Sequence, residues 1–188
     1  GAFNNPNVSL VDCPAGFERI TERGPVVDGR QYEVDVLVYG TGFTASQFLV
    51  PMRVTGRGGV DLHEHWNGEA RAYLGVTIPG FPNLFCLYGP NTNIVINGSI
   101  IYFSECGVRY ILGLLGMLLA DGHRAIDVRR DVHDRFNVEV DAENRRMAWG
   151  ASDVNTWYKN ASGRITQNWP FTLLEYWQRT RRPDLDEY

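Results

Sequence analysis

The chain has 188 residues, 44% of them hydrophobic and 21% charged, and a formal net charge of −4. That suffices for one domain or a large piece of one, with the composition of an ordinary globular chain. The acidic balance argues against a nucleic-acid or anionic-membrane surface and favours a cytoplasmic setting.

The opening residues GAFNNPNVSL lack the basic and apolar stretches of a secretory leader. Residues 1–40 are turn-rich. Short runs at Asn7–Val11, Phe17–Ile20, Gly24–Val27 and Gln31–Val34 are separated by Pro-Ala-Gly, Glu-Arg-Gly and Asp-Gly-Arg, and Asp28-Gly29 signals a hairpin. Val34–Tyr39 is β-branched and almost wholly apolar, which predicts a buried strand of a parallel sheet. Gly40–Ala45 then formally matches the dinucleotide fingerprint GxGxxA. That fingerprint needs a helix opening at its third small residue, so that amides and the helix dipole meet a pyrophosphate. Pro51 leaves room for only about one and a half helical turns. The glycines are therefore read as a turn with positive φ or a close backbone approach.

Leu62–Trp66 predicts a short helix in the loop-rich stretch from Pro51 to Gly80. His63 and His65, at i,i+2, share no helix face, so they read as solvated residues rather than a metal site. Asn83–Tyr88 predicts a second buried strand, ending at Gly89-Pro90 and followed by a loop over Asn91–Gly98. Ser99–Leu119 predicts a long helix closed by Asp121-Gly122. It is long enough to span a bilayer, but Glu105 and Arg109 lie inside it, spaced for a helical ion pair. Charges there are costly in lipid, so the helix is assigned to a soluble fold, buried or half-buried. Ala125–Val128 predicts a short strand, Arg129–Met147 an amphipathic helix, and Phe171–Arg181 a last helix stopped before Pro183. Between them, residues 150–170 read as irregular, and Trp149, Trp169 and Trp177 as packing residues. Cys13, Cys86 and Cys106, widely spaced and without CxxC, read as reduced thiols.

Three segments carry a family resemblance. Asp35–Phe43 (DVLVYGTGF) resembles the D-x-x-x-x-[AG]-T-G-[FY] element of flavoproteins with two dinucleotide domains. Tyr73–Phe85 (YLGVTIPGFPNLF) runs on through CLYGPNTN and is followed by Glu-Cys-x-x-Arg-Tyr in the helix. This combination is similar to the Baeyer–Villiger-type flavin monooxygenases. The tail segments TWYKN, GRITQNWP and YW-x-RT resemble the same enzymes, notably their aryl-ketone branch. The resemblance runs from about Asn5 to Tyr188.

It implies an α/β fold: the C-terminal part of an incomplete FAD/NAD(P)-binding Rossmann-like domain, with a mixed β-sheet and a long buried helix, as one unit over residues 1–188. The implied cofactors are FAD and NADPH, and the implied reaction inserts one oxygen of O2 next to a ketone to give an ester or lactone. The implied partners are a small-molecule ketone, O2 and the N-terminal half of the same enzyme, with no nucleic acid and no membrane. Both GxGxxG fingerprints, the Phe-x-Gly-x-x-x-His signature and the active-site arginine would lie upstream. The chain alone would then hold no catalytic residue and would not retain the cofactors.

The resemblance also assigns site residues. Thr41, Gly42, Phe43, Gly89, Pro90, Asn91, Thr92 and Asn93 would approach the flavin. Trp157 would lie on a loop touching the nicotinamide cofactor, where an indole N–H and flat face suit a ribose or amide. Ile94, Val95, Ile96 and Ser99 would line the substrate pocket. Ile94-Val95-Ile96-Asn97 departs from the Gly-His or small residues of many relatives, which implies a more apolar wall. A loop of small and amide residues entering the positive end of a long helix can stabilise the negative charge of a reduced flavin. The same residues also suit a plain tight turn with an N-cap. Two rival readings stand beside this one: a sulfur- or nitrogen-oxidising flavin monooxygenase, and a cofactor-free interaction fragment using the helix Ser99–Leu119 as its surface.

Overall fold

The structure, a computed structural model, describes residues 1–95, 98–120, 122–151 and 156–188. It divides into two units, Gly1–Gly42 and Phe43–Tyr188. In the first, β1 (Arg19–Thr21), β2 (Gly24–Val27) and β3 (Arg30–Gln31) form an antiparallel meander. Asp28 and Gly29 take φ of 48° and 73°, the paired positive values that a two-residue hairpin turn needs to match strand twist. Gly24 is required sterically, because a Cβ there would sit 2.2 Å from the Tyr32 carbonyl oxygen. Asn7–Val11 forms no strand.

Val34–Tyr39 is not the buried strand that its composition predicts. The segment is irregular, with Val36 76% and Val38 84% exposed. β-propensity measures fit to a neighbouring pleated surface, and among the described residues no strand pairs with this one. The one sheet among the described residues is antiparallel, so the expected mixed sheet is not formed.

The second unit carries α1 (Leu62–Trp66), α2 (Ile100–Ala120), α3 (Arg130–Arg146) and α4 (Leu173–Thr180). Asp61 caps α1 by accepting from the amides of His63 and Glu64, and Asn67 ends it in the left-handed region. His63 and His65 stand on this helix; His63 Nε2 meets the Met52 carbonyl at 3.0 Å, and His65 packs edge-on to Phe81. Thr172 accepts from the Glu175 amide at 3.1 Å, the first half of a Thr-x-x-Glu cap that starts α4.

The main core follows from helical spacing. Phe103, Cys106, Tyr110 and Leu114 lie on one face of α2, Val132, Phe136 and Val140 on one face of α3, and Tyr176 comes from α4. Trp169 fills the centre, with its ring centroid 5.0 Å from Tyr176 and 6.4 Å from Phe136. Each such aromatic pair contributes roughly 0.5–1.5 kcal/mol beyond area burial. Trp177 packs half-buried on the same cluster, and Trp149 donates to Asn144 Oδ1 at 2.9 Å.

The far face of α2 is bare, with Ile101 71% and Leu119 78% exposed, so the helix is half-buried rather than buried. α2 is the one described helix long and apolar enough to cross a membrane by length and composition. The Glu105–Arg109 pair expected from spacing is not formed; both residues are exposed, where such a pair is worth only about 0.3–0.5 kcal/mol against its entropy cost.

Asn83–Tyr88 and Ala125–Val128 also fail to become strands. Asn83 and Tyr88 take φ of 61° and 55°, which breaks the extended run at both ends. Asn83 and Ile126 join the two segments, each amide donating 3.0 Å to the other residue's oxygen. A second cluster, including Leu62, Trp66, Ala72, Ile78, Phe81 and Cys86, packs beneath this irregular stretch.

Candidate functional site

Two glycines bring the motif segments together. Gly75 (φ 71°) and Gly89 meet backbone to backbone: a Cβ on Gly89 would lie 2.3 Å from the Gly75 carbonyl oxygen, and one on Gly75 would lie 2.1 Å from Thr92 Cγ2. The loop is then tied inward. Thr92 Oγ1 donates to the Gly89 carbonyl at 2.8 Å, and Asn91 and Thr92 are each 2% exposed. Tyr88 and Asn91 sit in the left-handed region, which costs on the order of 1–3 kcal/mol for a bulky residue and little for Asn.

A second segment zips onto this loop. The amides of Asn91 and Asn93 donate to the carbonyls of Thr166 and Gln167 at 2.9 and 2.7 Å, and the Trp169 amide returns to Asn93 at 2.8 Å. Side chains repeat the pattern: Asn91 Nδ2 reaches the carbonyls of Ile165 and Asn168, and Asn93 Nδ2 reaches Asn168 Oδ1. Gln167 Nε2 donates to the Trp157 carbonyl at 2.9 Å, which ties the Trp157 segment to the same assembly.

Above the loop lies a cavity of about 410 Å³, within the usual range of ligand sites. Phe43, Phe48, Tyr88 and Trp157 give it flat apolar walls, Ala45 and Gly89 add small lining residues, and Asn93 and Gln167 supply amides. The Tyr88 hydroxyl donates to Asn93 Oδ1 at 2.6 Å, and burial followed by the neighbouring Tyr158 raises its pKa, keeping it a donor. Among the described residues, none that lines it carries a charged side chain. Nearby Cys86 is buried and its thiol is pushed up to about 11, so it packs as a neutral group rather than as a nucleophile.

Of the expected site residues, Phe43, Gly89, Asn93 and Trp157 come together on this cavity. Pro90, Asn91 and Thr92 are buried in the loop that carries it. Thr41 and Gly42 belong to the first unit; Gly42 has the positive φ expected of that turn, 81°, and no helix opens at Ala45. Ile94 and Val95 line a different cavity, with Trp149 and Phe171. Ser99 is exposed just before α2, and Ile96 lies outside the described residues.

Sequence reading passed over Phe48, Tyr88, Gln167 and above all Arg164. The Arg164 side chain is only 9% exposed and pairs with Asp141, which also takes Arg71 at 2.6 Å. Burial pulls its guanidinium below the usual value, and Asp141 opposes that shift. The available signal was one arginine inside the amide-rich run GRITQN, beside a core tryptophan.

No family model matches the chain. It is 36% identical to a Baeyer–Villiger monooxygenase of Streptomyces coelicolor, over 100% of this chain and 36% of that protein. A structure of OTEMO complexed with FAD and NADP superposes with a TM-score of 0.72 at 26% identity, covering 95% of this chain and 33% of that one. A closed structure of cyclohexanone monooxygenase superposes with a TM-score of 0.73 at 26% identity, covering 95% of this chain and 34% of that one. The chain spans about a third of the length of the relatives it matches. Motif, fold and sequence likeness all point one way: over about a third of their length, the chain is similar to Baeyer–Villiger-type FAD-dependent monooxygenases.

Proposed function

We propose that the chain supplies one wall of the active site of an FAD- and NADPH-dependent monooxygenase that inserts one oxygen of O2 next to a ketone carbonyl, giving an ester or lactone. The observation that carries this reading is the aromatic-walled cavity on the Gly89–Asn93 loop, built from the segments that carry the family likeness. Its chemistry fits the ring systems of the two cofactors. Flat apolar walls suit a heteroaromatic ring, and the amides of Asn93 and Gln167 with the Trp157 indole suit its polar edge. Among the described residues no cation lines it, so it does not fit their phosphates. Phosphate binding therefore falls to the upstream fingerprints, and the chain is the C-terminal part of an incomplete Rossmann-like FAD domain plus a tail.

When bound, FAD takes electrons from NADPH and activates O2; that chemistry belongs to the cofactor. The residues of this chain orient and exclude. Phe43, Gly89 and Asn93 face the flavin, Trp157 faces the nicotinamide nucleotide, and Pro90, Asn91 and Thr92 hold the loop rigid from below. Thr41 and Gly42 are assigned to the flavin on the family resemblance alone. Ile94 and Val95, which line a second cavity with Trp149 and Phe171, are assigned together with Ile96 and Ser99 to the ketone on the family resemblance. No residue here acts as acid, base or nucleophile, and the cytoplasmic setting goes with the reading.

The test is NADPH oxidation in air by the whole flavoprotein, with ketones compared against sulfides and amines. Ketone-stimulated oxidation with ester formation is expected. Turnover of sulfides or amines alone would replace the reading with the heteroatom-oxidising one. A whole protein that retains no FAD would remove it.

A further inference from the structure

We propose that Arg164 is a positioning residue for the flavin-side loop: its buried guanidinium fixes the side-chain amide of Asn91 and, through it, the backbone of Gly89–Asn93. This rests on the reading of that loop as a cofactor-facing wall. Arg164 spends its donors in three directions. Nε donates to Asp141 Oδ1 at 2.8 Å, Nη1 to the Ala70 carbonyl at 2.8 Å, and Nη2 to Asn91 Oδ1 at 3.1 Å. Asp141 is held in turn by Arg71, and Glu69 lies 3.9 Å from both arginines. Two cations thus face two carboxylates, which is what allows a charge to remain buried.

The Asn91 amide has two possible orientations, and Arg164 decides between them. With Oδ1 toward the guanidinium, Nδ2 donates to the carbonyls of Ile165 and Asn168 at 3.0 and 3.1 Å. A flipped amide would set its NH2 against the cation and its oxygen against two carbonyls, losing all three bonds. In the observed orientation the loop is fastened next to the two residues, Gly89 and Asn93, that it presents to the cavity. Apolar packing could hold a loop equally well in energy, so what the planar fork adds is one defined orientation. Lysine keeps the charge but has no such fork.

The test is a double-mutant cycle of Arg164→Lys and Asn91→Gly; glycine keeps the left-handed φ of 59° accessible. In the whole flavoprotein, each single change is expected to retain FAD, to raise KM for the ketone and the peroxide released per NADPH, and to lower kcat/KM by on the order of 10-fold or more. The double variant should be little worse than either single one. Independent, multiplying effects, or a wild-type peroxide yield in Arg164→Lys, would overturn the proposal. A readout on the isolated chain separates this from the monooxygenase reading. Arg164→Lys should move the Asn91 side-chain amide and the backbone amides of residues 89 and 91–93 in 15N spectra, and the exposed control Arg146→Lys should not. Unmoved loop amides in Arg164→Lys would also overturn it, whatever reaction the whole protein catalyses.

Discussion

Gly89 is where a single atom decides the site. A Cβ there meets the Gly75 carbonyl oxygen at 2.3 Å and Cys86 Cβ at 2.9 Å, and both neighbours are fixed by the turn around them. Gly89→Ala should lower the unfolding free energy by about 2 kcal/mol or more, read from urea denaturation. A loss below about 0.5 kcal/mol would mean that the two loops do not touch. Trp157 behaves oppositely. It is 51% exposed, tilted against Tyr158 with ring centroids 5.0 Å apart, and anchored by its carbonyl rather than its ring. Trp157→Ala should therefore leave stability nearly unchanged and weaken NADPH use more than FAD retention in the whole protein. An unaltered KM for NADPH would end that role for the indole.

At the scale of elements, α3 carries a buried histidine that makes stability depend on pH. His133 is 6% exposed. Burial lowers its pKa, and the Asp134 carboxylate at 2.8 Å opposes the shift without reversing it. Its folded value thus lies below the unfolded value near 6.5, so the unfolded chain binds the proton first as pH falls. Stability from His133 is present above about pH 6.5 and is lost below it. His65 shifts in the same direction, by burial and then by Arg130. His133→Gln should flatten, without abolishing, the fall in Tm between about pH 8 and pH 5; an unchanged slope would assign the dependence elsewhere.

The elements also differ in how far sequence alone reveals them. Gly24–Val27 and Leu62–Trp66 fold with the limits their residues indicate, and α2 and α3 fall within one residue of theirs, because turns, caps and helical period are local signals. Val34–Tyr39 and Asn83–Tyr88 do not, because a strand depends on a partner that its own residues cannot specify. The same limit hid Arg164. Its partners Ala70, Asn91 and Asp141 lie 94, 73 and 23 residues away along the chain, and no periodicity reports such a meeting. The loop Gly89–Asn93 was legible through its motif, whereas its apolar companion Phe48 carried no signal beyond being aromatic.

At the scale of the molecule, both units carry exposed apolar side chains. Val36, Val38 and Tyr39 in the first unit and Ile101, Leu112 and Leu119 in the second are all more than half exposed. Unpaired apolar segments of high β-propensity drive self-association. Val36→Lys combined with Val38→Glu should reduce light scattering of the isolated chain as its concentration rises; equal scattering would place the contact elsewhere. Oxygen transfer beside a ketone is the central proposed chemistry. The most direct measurement is mass spectrometry of the product formed by the whole flavoprotein from a ketone and NADPH under 18O2. One 18O atom in the ring or chain oxygen of the ester is the predicted result. An NADPH-dependent product without label, or no ester at all from any ketone, would contradict it.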